Sequence, residues 1–333
     1  MIKKQRSIKI MNSIIDNNED IVNNIREIYS IASPNKLRKL IEKHFIPSIE
    51  EKKKNAEIPT PIELVDEMLD KIPVYFWKTP QKVFEPCCGK GNFVLGIFDK
   101  FYEGLQDLIP INETRCQVIM TECIYYADIS ILNVFITTEL LKCHIESYCG
   151  ISPEYEFNNN VGDTLEFDIK EKWGLEGFNA VIGNPPYQAS RKKENIKKGG
   201  GGDLLWNKFI VMSLKYLSQN GYLSFVHPSG WRKPEDLNGK NNSKYKNLFN
   251  EMTKENQMIY LEIHNTKDGL KTFGCGTRYD WYLIEKNKKY KNTIIIDEEG
   301  IKNEIDLQTI PFLPNKNIIE IMKIISCNSE ENI

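Results

Sequence analysis

The chain has 333 residues, 41% hydrophobic and 27% charged, which describes a soluble globular protein with ample core, in one large domain or two smaller ones. Its net charge of −2 excludes binding to nucleic acid by overall charge, so a polyanion would have to meet a local basic patch. Eight cysteines without repeated Cys-x-x-Cys pairing and only four histidines argue against a structural zinc site, and no apolar run approaches the roughly 20 residues that span a bilayer.

The first residues, Met1-Ile2-Lys3-Lys4-Gln5-Arg6, reach no long apolar run, so no secretory signal is expected. Together with irregularly spaced cysteines this points to a reducing, cytoplasmic compartment. Residues 1–55 are polar and carry two helical patterns, near 14–31 and 35–45. They read as a small helical cap or as a solvated appendage. Thr60 and Pro61 supply an N-cap and a first helical residue for the amphipathic stretch 62–69.

A short strand, Val83-Phe84-Glu85, then runs into the bend Pro86-Cys87-Cys88-Gly89-Lys90-Gly91, and a helix opens near Phe93. Glycines at such a bend let a ligand approach the backbone closely. The spacing is neither that of a dinucleotide fingerprint nor that of a phosphate loop. Glu85 suits a cationic ligand. Residues 117–122 read as the second strand, ending in Glu122, where a carboxylate commonly holds both hydroxyls of a ribose. A helix is expected around 130–143 and a third strand at 157–161. That strand ends in Gly162-Asp163; Asp163 either accepts from an adenine amine or simply forms a turn.

The fourth strand, from Phe178 to Gly183, stops at Asn184-Pro185-Pro186-Tyr187. Proline fixes φ, removes a donor and restricts its predecessor, so a stiff arch forms at a strand's carboxyl end, where open α/β sheets bind ligands. An amide acceptor, a carbonyl acceptor and an aromatic plane suit a planar group bearing an NH2. Arg191, Lys192, Lys193, Lys197 and Lys198 follow, before four glycines at 199–202. This segment is a linker or a mobile loop that meets a polyanion. Further strands are expected at 221–226, 259–263, 279–284 and 293–296, and helices at 204–217 and from 318. Gly274 and Gly276, between two strands, suggest a hairpin or bulge. His227, with nothing nearby to form a triad, is not expected to be a catalytic base.

The order of these motifs resembles the S-adenosylmethionine-dependent DNA adenine-N6 methyltransferases, in particular the methylases of restriction–modification systems, over residues 56–290. The resemblance implies a Rossmann-like class I methyltransferase fold. Its sheet would have seven mostly parallel strands, helices on both faces and an antiparallel last strand. Residues 1–55 would form an N-terminal helical extension, 56–290 the methyltransferase domain and 291–333 a short C-terminal extension.

In the site, the resemblance puts Thr60 near the amino-acid end of S-adenosylmethionine. Glu85, Pro86, Cys87, Gly89 and Gly91 would surround the methionine moiety, with Phe93 close by. Glu122 would bind the ribose and Asp163 the cofactor adenine. Asn184, Pro185, Pro186 and Tyr187 would hold a base flipped out of double-stranded DNA, and no metal is implied. Only about forty residues follow the last strand of that domain, so target recognition is weak, supplied by a partner chain such as a recognition subunit or restriction endonuclease, or lost by truncation. Methylation of a release-factor glutamine or of RNA adenine, and an inactive DNA-binding subunit, remain alternatives.

Overall fold

Apolar spacing decides where this chain coils and where it extends, in a computed structural model that describes residues 19–31, 38, 58–188, 204–232, 247–289 and 291–330. Two units result, one of residues 1–48 and 59–174, the other of 49–58 and 175–333.

The first unit begins with α1 (Glu19–Ile31) and α2 (Ile62–Asp70). The second expected helix of the N-terminal region lies outside the described residues, apart from Arg38. That arginine donates to Asp66 at 2.6 Å and lies 3.8 Å from Asp99. Helix α2 buries Ile62, Val65, Met68 and Leu69, one stripe of a 3.6-residue period. Pro61 precedes it in extended geometry, and no side chain caps it, contrary to the cap expected of Thr60. The Thr60 carbonyl instead accepts from Asn92 Nδ2 at 2.8 Å.

Then come β1 (Val83–Glu85), α3 (Asn92–Gly104), α4 (Asn112–Val118), a π-helical turn (Ile119–Cys123), β2 (Ile124–Asp128), α5 (Ile131–Cys149), β3 (Asn158–Val161) and α6 (Ile169–Trp173). Strands β1 and β3 both pair in parallel with β2, with Glu85 opposite Tyr126 and Asp128 opposite Val161. Their carboxyl ends therefore share one edge. Trp173 meets Phe84, Tyr125 and Phe167 edge-on, with centroids 5.5, 5.3 and 5.3 Å away, and so covers β1 and β2.

The second strand is not at 117–122. Ile119, Met120 and Cys123 are buried at helical spacing, and helix α4 runs straight into them. Arg115 fastens α4 by donating to the Ile109 carbonyl at 2.8 Å and to Asn112 Oδ1 at 2.7 Å, with its guanidinium 4.2 Å from the Tyr102 ring centre. The fully buried run Ile124-Tyr125-Tyr126-Ala127-Asp128 is the strand.

The second unit holds β4 (Phe178–Gly183), α7 (Trp206–Tyr216), β5 (Leu217–Pro228), α8 (Leu248–Thr253), β6 (Gln257–His264), α9 (Thr266–Phe273), β7 (Tyr279–Glu285), β8 (Thr293–Ile296), β9 (Lys302–Ile305) and α10 (Ile318–Glu330). Strands β4 and β5 are parallel, and β7 runs antiparallel to both β5 and β6. The last of the seven expected strands is thus the antiparallel one. Two more strands follow, β8 parallel to β6 and β9 antiparallel to β8. Between β6 and β7 the chain forms neither hairpin nor bulge but α9, opened by a capping box of Asn265 and Asp268 and closed by Gly274 at φ +68°. Among the described residues no helix is long and apolar enough to cross a membrane.

Arg232, 3% exposed, anchors the end of β5. It donates to Asp280 Oδ2 at 2.7 Å, to the Leu313 carbonyl at 3.1 Å and to Asn315 Oδ1 at 2.9 Å, and Trp231 Nε1 donates to the same Asp280 oxygen at 2.9 Å. Removing one partner of a buried pair strands the other charge. Arg232→Met should therefore lower the stability read from urea denaturation by about 3–5 kcal/mol, and the double variant Arg232→Met/Asp280→Leu should recover most of it. A single variant as stable as the parent would contradict this role.

Candidate active site

In the first unit the site grows from the two strand ends. Glu85 closes β1 and is 1% exposed. Its Oε1 accepts from Cys87 N at 3.1 Å and from Cys87 Sγ at 3.5 Å, while Oε2 is buried with no hydrogen-bond partner among the described residues. Burial, with a smaller push from the charge of Asp128, raises its pKa from 4.5 to about 8 against the pull of the Cys87 donors. The acid at the end of β2 is Asp128, 7% exposed. Its Oδ2 accepts from Gly89 N at 3.0 Å; its Oδ1 accepts from Ser130 N at 2.7 Å and Asn133 Nδ2 at 3.3 Å. Burial raises its pKa, and these three donors oppose the rise.

The bend between them is shaped to bring Gly89 N–H onto Asp128. Gly91 has φ +89°, which L side chains rarely adopt, and an added Cβ there would meet the Thr137 side chain at 3.1 Å. Thr137 Oγ1 donates to the Gly89 carbonyl at 3.1 Å, and Cys88 N donates to the Ala127 carbonyl at 2.9 Å. Thr164 Oγ1 holds the Pro86 carbonyl at 2.7 Å. Helix α3 starts at Asn92, with Phe93 5% exposed, and Thr60 is 4% exposed on the other side of the Asn92 contact. Glu85, Pro86, Cys87, Gly89, Gly91 and Phe93 thus lie on one continuous strand–bend–helix segment, and the Asn92 contact ties Thr60 to it.

Glu122 is not part of it. It is exposed in the π-helical turn, one turn ahead of β2, and misreading that strand is what selected it. Asp128 occupies the strand-end position, although its sequence surroundings, Ala127-Asp128-Ile129-Ser130, carry no glycine or proline to mark a turn. Asp163 does follow β3, as expected. It is exposed, its Oδ1 accepts from Leu165 N at 3.0 Å, and Gly162 N before it donates to the Asp128 carbonyl at 3.0 Å. The residues present fit a cofactor with a cationic amino-acid end and a nucleoside: a buried carboxylate oxygen with no partner among the described residues, a glycine bend in a conformation that L side chains rarely adopt, and a second strand-end carboxylate.

In the second unit, Asn184-Pro185-Pro186-Tyr187 follows β4 directly, and Gly183 lies opposite Phe225 of β5. Asn184 Nδ2 donates to the Ile58 carbonyl at 3.3 Å, a contact spanning 126 residues of sequence that orients the amide. The Tyr187 carbonyl accepts from Leu205 N at 3.2 Å, and Gln188 pairs with Leu204 in an isolated antiparallel bridge. The arch is therefore pinned on both sides. Tyr187 is half-buried, not a freely exposed face; its hydroxyl has no partner among the described residues, and burial raises its pKa. The basic segment at 191–202 lies outside the described residues.

His227 is fully buried. Its Nδ1–H donates to the Pro228 carbonyl at 2.9 Å, and its Nε2 accepts from the Tyr282 hydroxyl at 3.0 Å. It stacks on Trp206 with centroids 4.4 Å apart, and burial lowers its pKa to about 3. A neutral imidazole with both nitrogens engaged packs the core and moves no proton.

Two measurements check this geometry. Glu85 stays protonated to about pH 8 in the folded chain but only to 4.5 when exposed. The folded state binds the extra proton between those values, so stability should fall as pH rises across that window. Glu85→Gln should remove this part of the slope in urea titrations and be more stable than the parent above pH 8; an unchanged slope would show that the burial is relieved some other way. Tyr187→Phe deletes an unsatisfied hydroxyl, so its melting temperature should match or exceed the parent's, whereas Tyr187→Ala should melt lower.

Residues 122–267 match the model of the Eco57I restriction-modification methylase family. Among curated proteins, the chain is 22% identical to an uncharacterized adenine-specific methylase of Mycoplasma pneumoniae, over 53% of this chain and 56% of that protein. It is 29% identical to a putative type II restriction enzyme and methyltransferase of Methanocaldococcus jannaschii, over 43% of this chain and 13% of that protein. In structure it is similar to a modification subunit of a putative type I restriction enzyme from Vibrio vulnificus, with TM-score 0.56 and 13% identity over 91% of this chain and 59% of that one. The chain spans little more than half of the first of these relatives and a small part of the second. Over residues 122–267 the chain thus resembles the Eco57I restriction-modification methylase family, on a Rossmann-like α/β fold shared with solved modification subunits of type I restriction enzymes.

Proposed function

We propose that this chain transfers the methyl group of S-adenosylmethionine to the N6 amine of adenine in double-stranded DNA. The setting is a cytoplasmic restriction–modification system in which a recognition subunit or restriction endonuclease is the partner. The observation that carries the reading is the stiff arch at the carboxyl end of β4, with the Asn184 amide oriented by the Ile58 carbonyl. We further propose residues 56–290 as the methyltransferase domain.

The cofactor would supply an electrophilic methyl group on a sulfonium. Glu85, through its unpartnered Oε2, would pair with the α-ammonium. Thr60, Pro86, Cys87, Gly89, Gly91 and Phe93 line the same bend and would enclose the methionine moiety. Asp128, in place of Glu122, would accept from the ribose. Asp163 would accept from the cofactor's adenine amine through the oxygen that Leu165 N does not engage.

An exocyclic amine is a poor nucleophile because its lone pair is delocalised into the ring. The Asn184 amide oxygen and the Pro185 carbonyl accept its two hydrogens and turn the lone pair out of conjugation. The prolines hold those acceptors still, so the gain comes from positioning. In a duplex the base must first leave the stack, and the half-buried ring of Tyr187 supplies a surface for it.

Incubating the protein with labelled cofactor and with DNA or RNA, then analysing nucleosides by mass spectrometry, tests the reading. N6-methyladenine in DNA is expected; label found only in RNA or in protein glutamine would overturn it. Asn184→Ala should lower methyl transfer by about 100-fold, on the order of 3 kcal/mol, with cofactor affinity unchanged. Cofactor affinity should rise with pH toward 8, because Glu85 must lose its proton to pair with an ammonium. A flat profile below that pH would remove Glu85 from the role.

A further inference from the structure

Asp128 lies at the centre of a relay that the methyl-transfer reading does not use. Lys90 Nζ donates to Asn133 Oδ1 at 3.1 Å. That bond fixes which end of the Asn133 amide faces inward, and its Nδ2 donates to Asp128 Oδ1 at 3.3 Å. Asn133 is 2% exposed, held in the first turn of α5 where its own N–H meets Ser130 Oγ at 3.4 Å. The amide cannot turn over without setting Nδ2 against the lysine ammonium and its oxygen against the carboxylate. Lys90 also draws Asp128 toward its charged form.

Counting acceptors then becomes informative. A carboxylate offers about four lone-pair sites, two on each oxygen. Oδ1 uses both, for Ser130 N and Asn133 Nδ2. Oδ2 uses one, for Gly89 N. One site is left, on Oδ2. A carboxylate gripping both hydroxyls of a ribose would need a second site, and taking it would break one of these bonds.

We propose that Asn133, locked by Lys90, is a positioning residue for the cofactor nucleoside: it occupies Asp128 Oδ1 so that Oδ2 alone meets the ribose, and the site reads one of the two ribose hydroxyls. The proposal rests on the reading that S-adenosylmethionine binds at the Glu85–Gly91 bend, and it narrows what that site recognises.

The test is calorimetry with S-adenosylhomocysteine and its 2′-deoxy and 3′-deoxy forms, on the parent chain first. One deoxy form should bind about tenfold or more weakly, the loss of one hydrogen bond to a charged group, and the other within about threefold of the parent ligand. Equal losses for the two deoxy forms would overturn the proposal.

By the same count, Asn133→Leu frees a site on Asp128 Oδ1 and the milder Lys90→Met lets the amide turn away from it, so in both variants the deoxy form that the parent binds nearly as well as the full ligand should fall about tenfold behind it. A variant that weakens all three ligands by one common factor acts structurally and would also overturn it. A parent chain that binds none of the three ligands would remove the cofactor reading itself, an outcome distinct from binding that ignores Asn133.

Discussion

A carboxylate leaves water only where donors replace the water, and the first unit buries two of them, Glu85 and Asp128, at adjacent strand ends. Much of the local architecture answers that demand. The glycine bend brings Gly89 N–H onto one oxygen, the turn into α5 brings Ser130 N–H and the Asn133 amide onto the other, and Thr137 fixes the bend from behind. Asp128 is thereby nearly satisfied. Glu85 is left with an oxygen that nothing in the described structure answers. The difference is one of satisfaction: donors hold Asp128 on both oxygens, while Glu85 is held through Oε1 alone.

The second unit solves a different problem. Its parallel pair, β4 and β5, meets an antiparallel β7, and the charged pair Arg232–Asp280, buried with Trp231, ties the end of β5 to residues 313–315. His227 and Tyr282 spend their polar atoms on each other and on the Pro228 carbonyl. These contacts engage most of the buried polar atoms at the end of β5, the strand that pairs with β4 ahead of the arch.

Local chemistry was legible in the sequence. The strand–bend–helix of residues 83–98 and the Asn-Pro-Pro-Tyr arch follow from proline, glycine and short apolar runs, whose effects reach only a few residues, whereas the antiparallel seventh strand came only with the resemblance. What stayed hidden depended on distant partners. The run at 117–122 has the apolar content of a strand, yet Ile119, Met120 and Cys123 share one helical face, and only packing against the rest of the unit chooses between the two periods. Glu122 was selected by that error and Asp128 overlooked through it. The Ile58 carbonyl under Asn184 and the Thr60 carbonyl under Asn92 are backbone acceptors, to which any residue type contributes equally, so no sequence signal marks them.

The bridge between Gln188 and Leu204 fixes the two ends of everything that lies between them. Once a segment's ends are tied, its length matters little to the fold: each doubling adds only about 0.6 kcal/mol of closure entropy. The stretch beside the arch is in effect a cassette. Residues can be gained or lost between Gln188 and Leu204 while the bridge keeps Asn184 and Tyr187 in their places.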